Sequence, residues 1–319
     1  MCLISIIAMI AILLIIKLFK KFEGQDLLDI ASFLGGKYLM ILIGILYLAF
    51  MLLSPALLIR DFSESLKIIY FKNSPILYII LFFIIGSIIA NKFNLKVIAK
   101  VNLMIIPVIL FSIFIVLFAN IRNFSPERLF PILGNGADRT FLKGLTNIYS
   151  FHVIGYLFFL PPFLNKKEDF KSISMISFFI SSIYLILSII CLILSVSFIL
   201  VSNEPLSLYL ITRMIAFGKF IQRIDALFIF VWILSCLSYI SISLFFVLYI
   251  FKKITKIHDY KPMVYCFGSL LLGLILIPRN ISILNTITDS FYKYGIIFLV
   301  FIFSILILIF ANMRRKRNV

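Results

Sequence analysis

Of the two histidines in the chain, His258 lies in a charged loop and His152 lies inside an apolar run. At such different depths they make a poor pair for one metal site. The stretch FLKGLTNIYSFHV carries Lys143, Gly144, Thr146, Asn147, Tyr149, Ser150 and His152. Val153–Leu160 is strongly apolar, and Pro161 and Pro162 follow. A polar half, an apolar half and a proline pair predict a discontinuous helix across 141–163. The unwound part of such a helix presents free backbone groups to a ligand in mid-membrane. At about 1.5 Å per residue, His152 stands roughly 16 Å from either end of the run. Polar and ionisable groups at that depth are costly and face a bundle interior or a cavity. Three roles stay open for His152: a neutral imidazole bonded to a neighbouring helix, a direct ligand contact, or a proton relay.

Other candidates fall on helical stripes. Trp232, Ser235, Tyr239 and Ser243 recur at i, i+3, i+7 and i+11, which is one helix face. Tyr47 and Ser54, seven apart, form a weaker stripe. Either stripe lines a cavity or supplies small hydroxyls for helix packing. Arg60 with Asp61, and Arg223 with Asp225, close and open two apolar runs. They read as snorkelling charges or, more sharply, as an outer gate or a partner-binding ion pair. There is no Walker A, HExxH or GxSxG motif and no usable carboxylate pair, so nothing supports catalysis. No cofactor and no metal are expected.

The elements that must position these residues follow from composition. Of the 319 residues, 63% are hydrophobic and 13% charged, against roughly 45–50% and 25% in soluble domains. An all-α membrane protein is expected, with a bilayer as its solvent. Nine runs approach the roughly 20 apolar residues a span requires: 2–19, 38–59, 75–90, 101–119, 141–163, 173–201, 224–250, 262–278 and 290–311. They form one permease-like unit over 1–319. The net charge of +17 is spread in short basic clusters between apolar runs, a pattern of topology signals and lipid contacts rather than of nucleic-acid binding. Eighteen of the 30 Lys and Arg fall in one alternating set of loops, which includes Lys17, Lys20 and Lys21 and the tail Arg314–Arg317. That set, and with it the C-terminus, is expected in the cytoplasm. Lys17, Lys20 and Lys21 follow the first run rather than precede it, which favours a retained helix over a signal peptide. The four cysteines share no CxxC spacing and read as small buried hydrophobes. Residues 120–140 hold two proline turns and a Gly-Asn-Gly stretch. In 202–223, Leu210, Met214, Phe217 and Ile221 predict an amphipathic helix at the outer interface.

Four pieces carry a family resemblance: LLIRDFSESL at 57–66, RLFPILGNG at 128–136, LPPFLNKK at 160–167 and FGKFIQRIDALFIFVW at 217–232. In this order and spacing, over nearly the whole chain, they resemble the spore germination receptor B subunit. That endospore germination permease family belongs to the amino acid–polyamine–organocation transporter superfamily. The resemblance implies two inverted five-helix repeats, with the first helix missing because the chain resembles the family from its second helix onward. It implies a small nutrient ligand, such as an amino acid, bound in the membrane core. It also implies germinant receptor A and C subunits as partners, in the inner membrane of the spore. By carry-over, Tyr47, Tyr149, Ser150, His152, Trp232, Ser235 and Tyr239 are ligand candidates. Family members often have Gly-Glu near Phe151-His152, a departure that bears on ligand chemistry there. Two other readings stand beside the receptor: an amino-acid secondary transporter, which the lack of a mid-membrane acid disfavours, and a truncated non-functional paralogue.

Overall fold

The computed structural model describes residues 1–93, 95–130, 136, 140–141, 144–164, 166, 169–196, 207–215, 224–259 and 261–317. Among them there is no β-strand. Helix α1 is Cys2–Phe19. Helix α2, Leu27–Ile69, begins with a reciprocal cap: Asp26 accepts from Asp29 N and Asp29 accepts from Asp26 N, at 3.0 and 3.2 Å. It bends at Gly35 and Gly36, where Gly36 takes φ 70° and ψ −163°, a conformation open to glycine alone. The helix was expected to end near residue 59. It runs to Ile69, because the polar residues of RDFSESLK end the apolar pattern without ending the helix.

Helices α3 (Ile76–Lys92) and α4 (Leu95–Ala119) follow. Two single 3₁₀ turns, Asn120–Asn123 and Pro126–Leu129, open the next loop. The run expected as a discontinuous helix is 3₁₀ from Thr146 to Phe159 and is interrupted by a kink at Phe151, whose dihedrals are not helical (φ −98°, ψ 22°); a 3₁₀ turn at Pro161–Phe163 follows. The break is therefore a kink at Phe151 between two overwound segments. At about 2.0 Å per residue, the 14 residues of Thr146–Phe159 extend roughly 28 Å, close to the thickness of a hydrocarbon core.

Helices α5 (Asp169–Ser195), α6 (Ser207–Arg213), α7 (Ile224–Thr255) and α8 (Met263–Leu276) come next. In α6 the buried residues are Tyr209, Ile211 and Thr212, while Met214, just past its end, is exposed. Phe217 and Ile221 of the expected amphipathic helix lie outside the described residues. A last continuous rod comprises α9 (Ile281–Ser290), a π-helical stretch (Phe291–Phe303) and α10 (Ser304–Arg317).

Six of these helices are long and apolar enough to cross a membrane, and α3 and α8 are shorter apolar helices. Helix α7 packs against α2, α3, α4 and α8, and the 3₁₀ crossing packs against the π-helical stretch and α1. The apolar stretch of α2 is 56% buried, those of α4 and α5 only 11% and 17%. So α2 is a core helix, while α4 and α5 turn most of their surface, including Met104, Phe111 and Phe179, to the surrounding solvent. Cys191 and Cys236 are buried as expected of small hydrophobes, but Cys2 and Cys266 are exposed.

Candidate functional site

The 3₁₀ crossing places His152 seventh of its 14 residues, midway along. Gly155, one turn on, permits close packing there: a Cβ would stand 2.9 Å from Phe50 and 3.1 Å from Val300. Around His152 converge Ser54 of α2, Tyr239 of α7 and Tyr292 of the π-helical stretch. His152 Nε2 is 3.2 Å from Tyr239 Oη, Tyr239 Oη is 2.8 Å from Ser54 Oγ, and Ser54 Oγ is 3.2 Å from Tyr292 Oη. His152 Nδ1 is 3.0 Å from the Tyr149 carbonyl.

That carbonyl sets the direction of every bond. A carbonyl only accepts, so Nδ1 carries a proton; in a neutral imidazole Nε2 is then the acceptor. Tyr239 donates to His152, Ser54 donates to Tyr239, and Tyr292 donates to Ser54. The chain runs Tyr292, Ser54, Tyr239, His152, Tyr149 carbonyl, and the Tyr292 hydroxyl also reaches the Ser54 carbonyl at 3.4 Å. The same logic orders two flanking chains. Ser243 donates to the Met51 carbonyl at 2.6 Å, so Tyr156 donates to Ser243 at 2.7 Å. Ser304 donates to the Leu299 carbonyl at 2.8 Å, so Tyr47 donates to Ser304 at 2.7 Å. Three neutral chains thus cross the core, each starting on a tyrosine and ending on a backbone carbonyl. Their free lone pairs are hydroxyl oxygens, which suit a ligand that donates hydrogen bonds.

The structure sorts the expected residues into groups. His152, Tyr149 and Tyr239 lie in the central chain, and the Tyr149 ring lies against Tyr292 with centroids 5.6 Å apart. Tyr47 reaches the chain through rings: its centroid is 5.9 Å from Phe50, which is 6.5 Å from His152. Ser150 is half-buried in the 3₁₀ crossing. Trp232 stacks on Phe62 at 6.0 Å and, with Ser235, faces a separate cavity of about 250 Å³. Tyr292, Tyr156 and Ser304 were not anticipated.

Among the described residues, Arg60 does not pair with its sequence neighbour Asp61. Arg60 bonds Glu64, one turn along α2, at 2.8 Å, and reaches the Ile275 carbonyl of α8 at 3.4 Å. Asp61 is exposed. Asp225, buried at the start of α7, accepts from Tyr70 at 3.0 Å and Tyr209 at 3.3 Å. Arg223 lies outside the described residues.

A second polar group was not anticipated either. Asp26, fully buried, accepts from Tyr249 at 2.6 Å and from Lys253 at 2.7 Å; Lys253 also reaches Asp29 at 2.7 Å. Burial holds the Asp26 carboxyl above the ordinary carboxylate range; Lys253 pulls the other way and the charge of Asp29 adds to the rise. Beside it lies a cavity of about 520 Å³ lined by Phe163, Phe245, Tyr249, Lys252, Lys253 and Lys256.

Two comparisons bear on this arrangement. A family described as "Spore germination protein", the spore permeases, matches residues 1–284. Spore germination protein KB of Bacillus subtilis (strain 168) is 24% identical over 251 residues, which cover 77% of this chain and 66% of that protein. With a match over most of its length and apolar helices throughout, the chain belongs to the spore germination permease family and is a multi-pass integral membrane protein connected with germination.

Proposed function

We propose that the chain is the membrane subunit of a spore germinant receptor, binding a small nutrient such as an amino acid at the central hydroxyl–imidazole chain. The observation that carries this reading is the chain itself: neutral, fully directed, and set midway along an overwound crossing. A ligand N–H group takes the free lone pairs of the tyrosine oxygens, and the ligand's own acceptors can compete for the same hydroxyl protons. Each bond lost to the protein is replaced by one to the ligand, so the exchange is close to neutral. A ligand that binds one arrangement better than the other shifts their balance, which germinant receptor A and C subunits would read in the inner spore membrane, with the C-terminus cytoplasmic. Among the described residues no carboxylate belongs to the central chain, which favours a sensor over an ion-coupled transporter.

Spores carrying His152→Ala or Tyr239→Phe, with the protein present at normal level, should lose the response to one nutrient and keep the response to other triggers. A nutrient response unchanged in both variants would overturn the reading. Counterflow of labelled amino acid in proteoliposomes of the wild-type chain would replace it with transport.

A further inference from the structure

The cavity beside Trp232 belongs to none of the three central chains. It lies between the peripheral helices α4 and α5, the short α6, and α7. Its walls are mostly apolar, with Phe228 and Leu208 among them. Three serines from three helices meet in it: Ser112 of α4, Ser188 of α5 and Ser235 of α7. Ser235 donates to the Val231 carbonyl of its own helix at 2.8 Å and keeps its lone pairs. The hydroxyls of Ser112 and Ser188 make no hydrogen bond with any described residue. Ser112 is nonetheless only 5% exposed as a residue, and it lines the cavity with no partner for its hydroxyl among the described residues.

An empty cavity destabilises a fold in proportion to its volume. Apolar walls with a few convergent polar groups are the usual form of a small-molecule pocket. A cavity of about 150 Å³ holds benzene; in proportion, the 250 Å³ here holds about ten non-hydrogen atoms. We propose that this cavity is a second ligand site, independent of the germinant reading, for a small neutral aryl or alkyl alcohol. Its hydroxyl bridges Ser112 and Ser188 while its apolar body lies against Trp232 and Phe228. Ser235 is one turn from Tyr239, so occupancy of this site bears directly on the helix that carries the central chain.

Trp232 is the single tryptophan of the chain and reports on the site directly. The full chain, in lipid nanodiscs, is titrated with 4-bromobenzyl alcohol, whose bromine quenches indole fluorescence on contact. A saturable quench is expected above the shallow linear loss that follows partition into the bilayer. Ser112→Leu and Ser188→Leu fill the cavity and should each leave only the linear loss. Should both fail to yield folded protein, Ser112→Ala keeps the space, removes one hydroxyl and should weaken the saturable phase. A purely linear response in the wild type, or a saturable phase untouched by these variants, overturns the proposal. A second arm replaces the lipid with one brominated on its acyl chains. Strong quenching there that plain benzyl alcohol does not relieve shows that a lipid tail fills the cavity, and it too overturns the proposal.

Discussion

Two of the polar groups among the described residues are built from different chemistry. The central chain of Tyr292, Ser54, Tyr239 and His152 consists of neutral dipoles, each bonded to the next. The group at Asp26, Asp29, Tyr249 and Lys253 concentrates formal charge at the start of α2 and the end of α7. Depth explains the division. Mid-crossing, a formal charge has no water to reach, whereas at a helix end a lysine can extend toward it. The energetics differ as well. Neutral hydrogen bonds can be exchanged for those of a ligand at little net cost. Removing one partner of a buried ion pair leaves a charge stranded. The central chain is therefore suited to rearrangement on binding, and the Asp26 group to holding the corner between α1 and α2 against α7.

The most severe way to break this comparison is Lys253→Met. It strands a fully buried Asp26 beside Asp29 and should cost about 3–5 kcal/mol, read as a lower melting temperature in detergent. Adding Asp26→Asn should restore more than half of the loss. If Lys253→Met melts like the wild type, the corner is held by something else. Tyr239→Phe is next. It removes the partner of both the Ser54 hydroxyl and His152 Nε2, for about 1–3 kcal/mol. In spores the order should reverse: the folded Tyr239→Phe protein loses its nutrient response, whereas Lys253→Met supplemented with Asp26→Asn retains it. Equal responses in the two would dissolve the distinction between a sensing group and a holding group.

His152 and Tyr239 were legible in the sequence because a polar residue inside an apolar run is costly enough to demand a reason. Tyr292 was not, since a tyrosine near the start of a span reads as an interfacial anchor, and its contact with Ser54 spans 238 positions. Tyr156 and Ser304 were hidden likewise: their partners Ser243 and Tyr47 stand 87 and 257 positions away. Arg60 and Asp61 are neighbours in sequence, but residues i and i+1 do not face each other on a helix. The actual partner, Glu64, stands at i+4, a signal available in RDFSE once the helix is known to continue. The apolar crossings were readable because bilayer thickness sets a length that hydropathy can find. The 3₁₀ pitch of Thr146–Phe159 was not, as no composition rule separates it from a broken α-helix. The Asp26 group escaped notice because Asp26 lies in a short polar loop that gives no hint of burial.

The smallest expected effect is a pH slope, and its sign decides what the Asp26 group costs. Burial holds this carboxyl above its unfolded value, which lies near 3.9. Between those two values the folded chain binds more protons than the unfolded chain. The Asp26 contribution to stability is therefore fully present below the unfolded value and is lost as pH rises through the folded one. Melting temperatures of wild type and Asp26→Asn, compared from about pH 7 down to about pH 4, should show the wild type gaining on the variant as pH falls. Tyr156→Phe, in a chain that contains no imidazole, should shift melting by one constant amount across the same range. An opposite slope for Asp26→Asn, with the wild type losing ground on acidification, would mean that the attraction of Lys253 outweighs burial. The charge on Asp26 would then be a net source of stability at neutral pH.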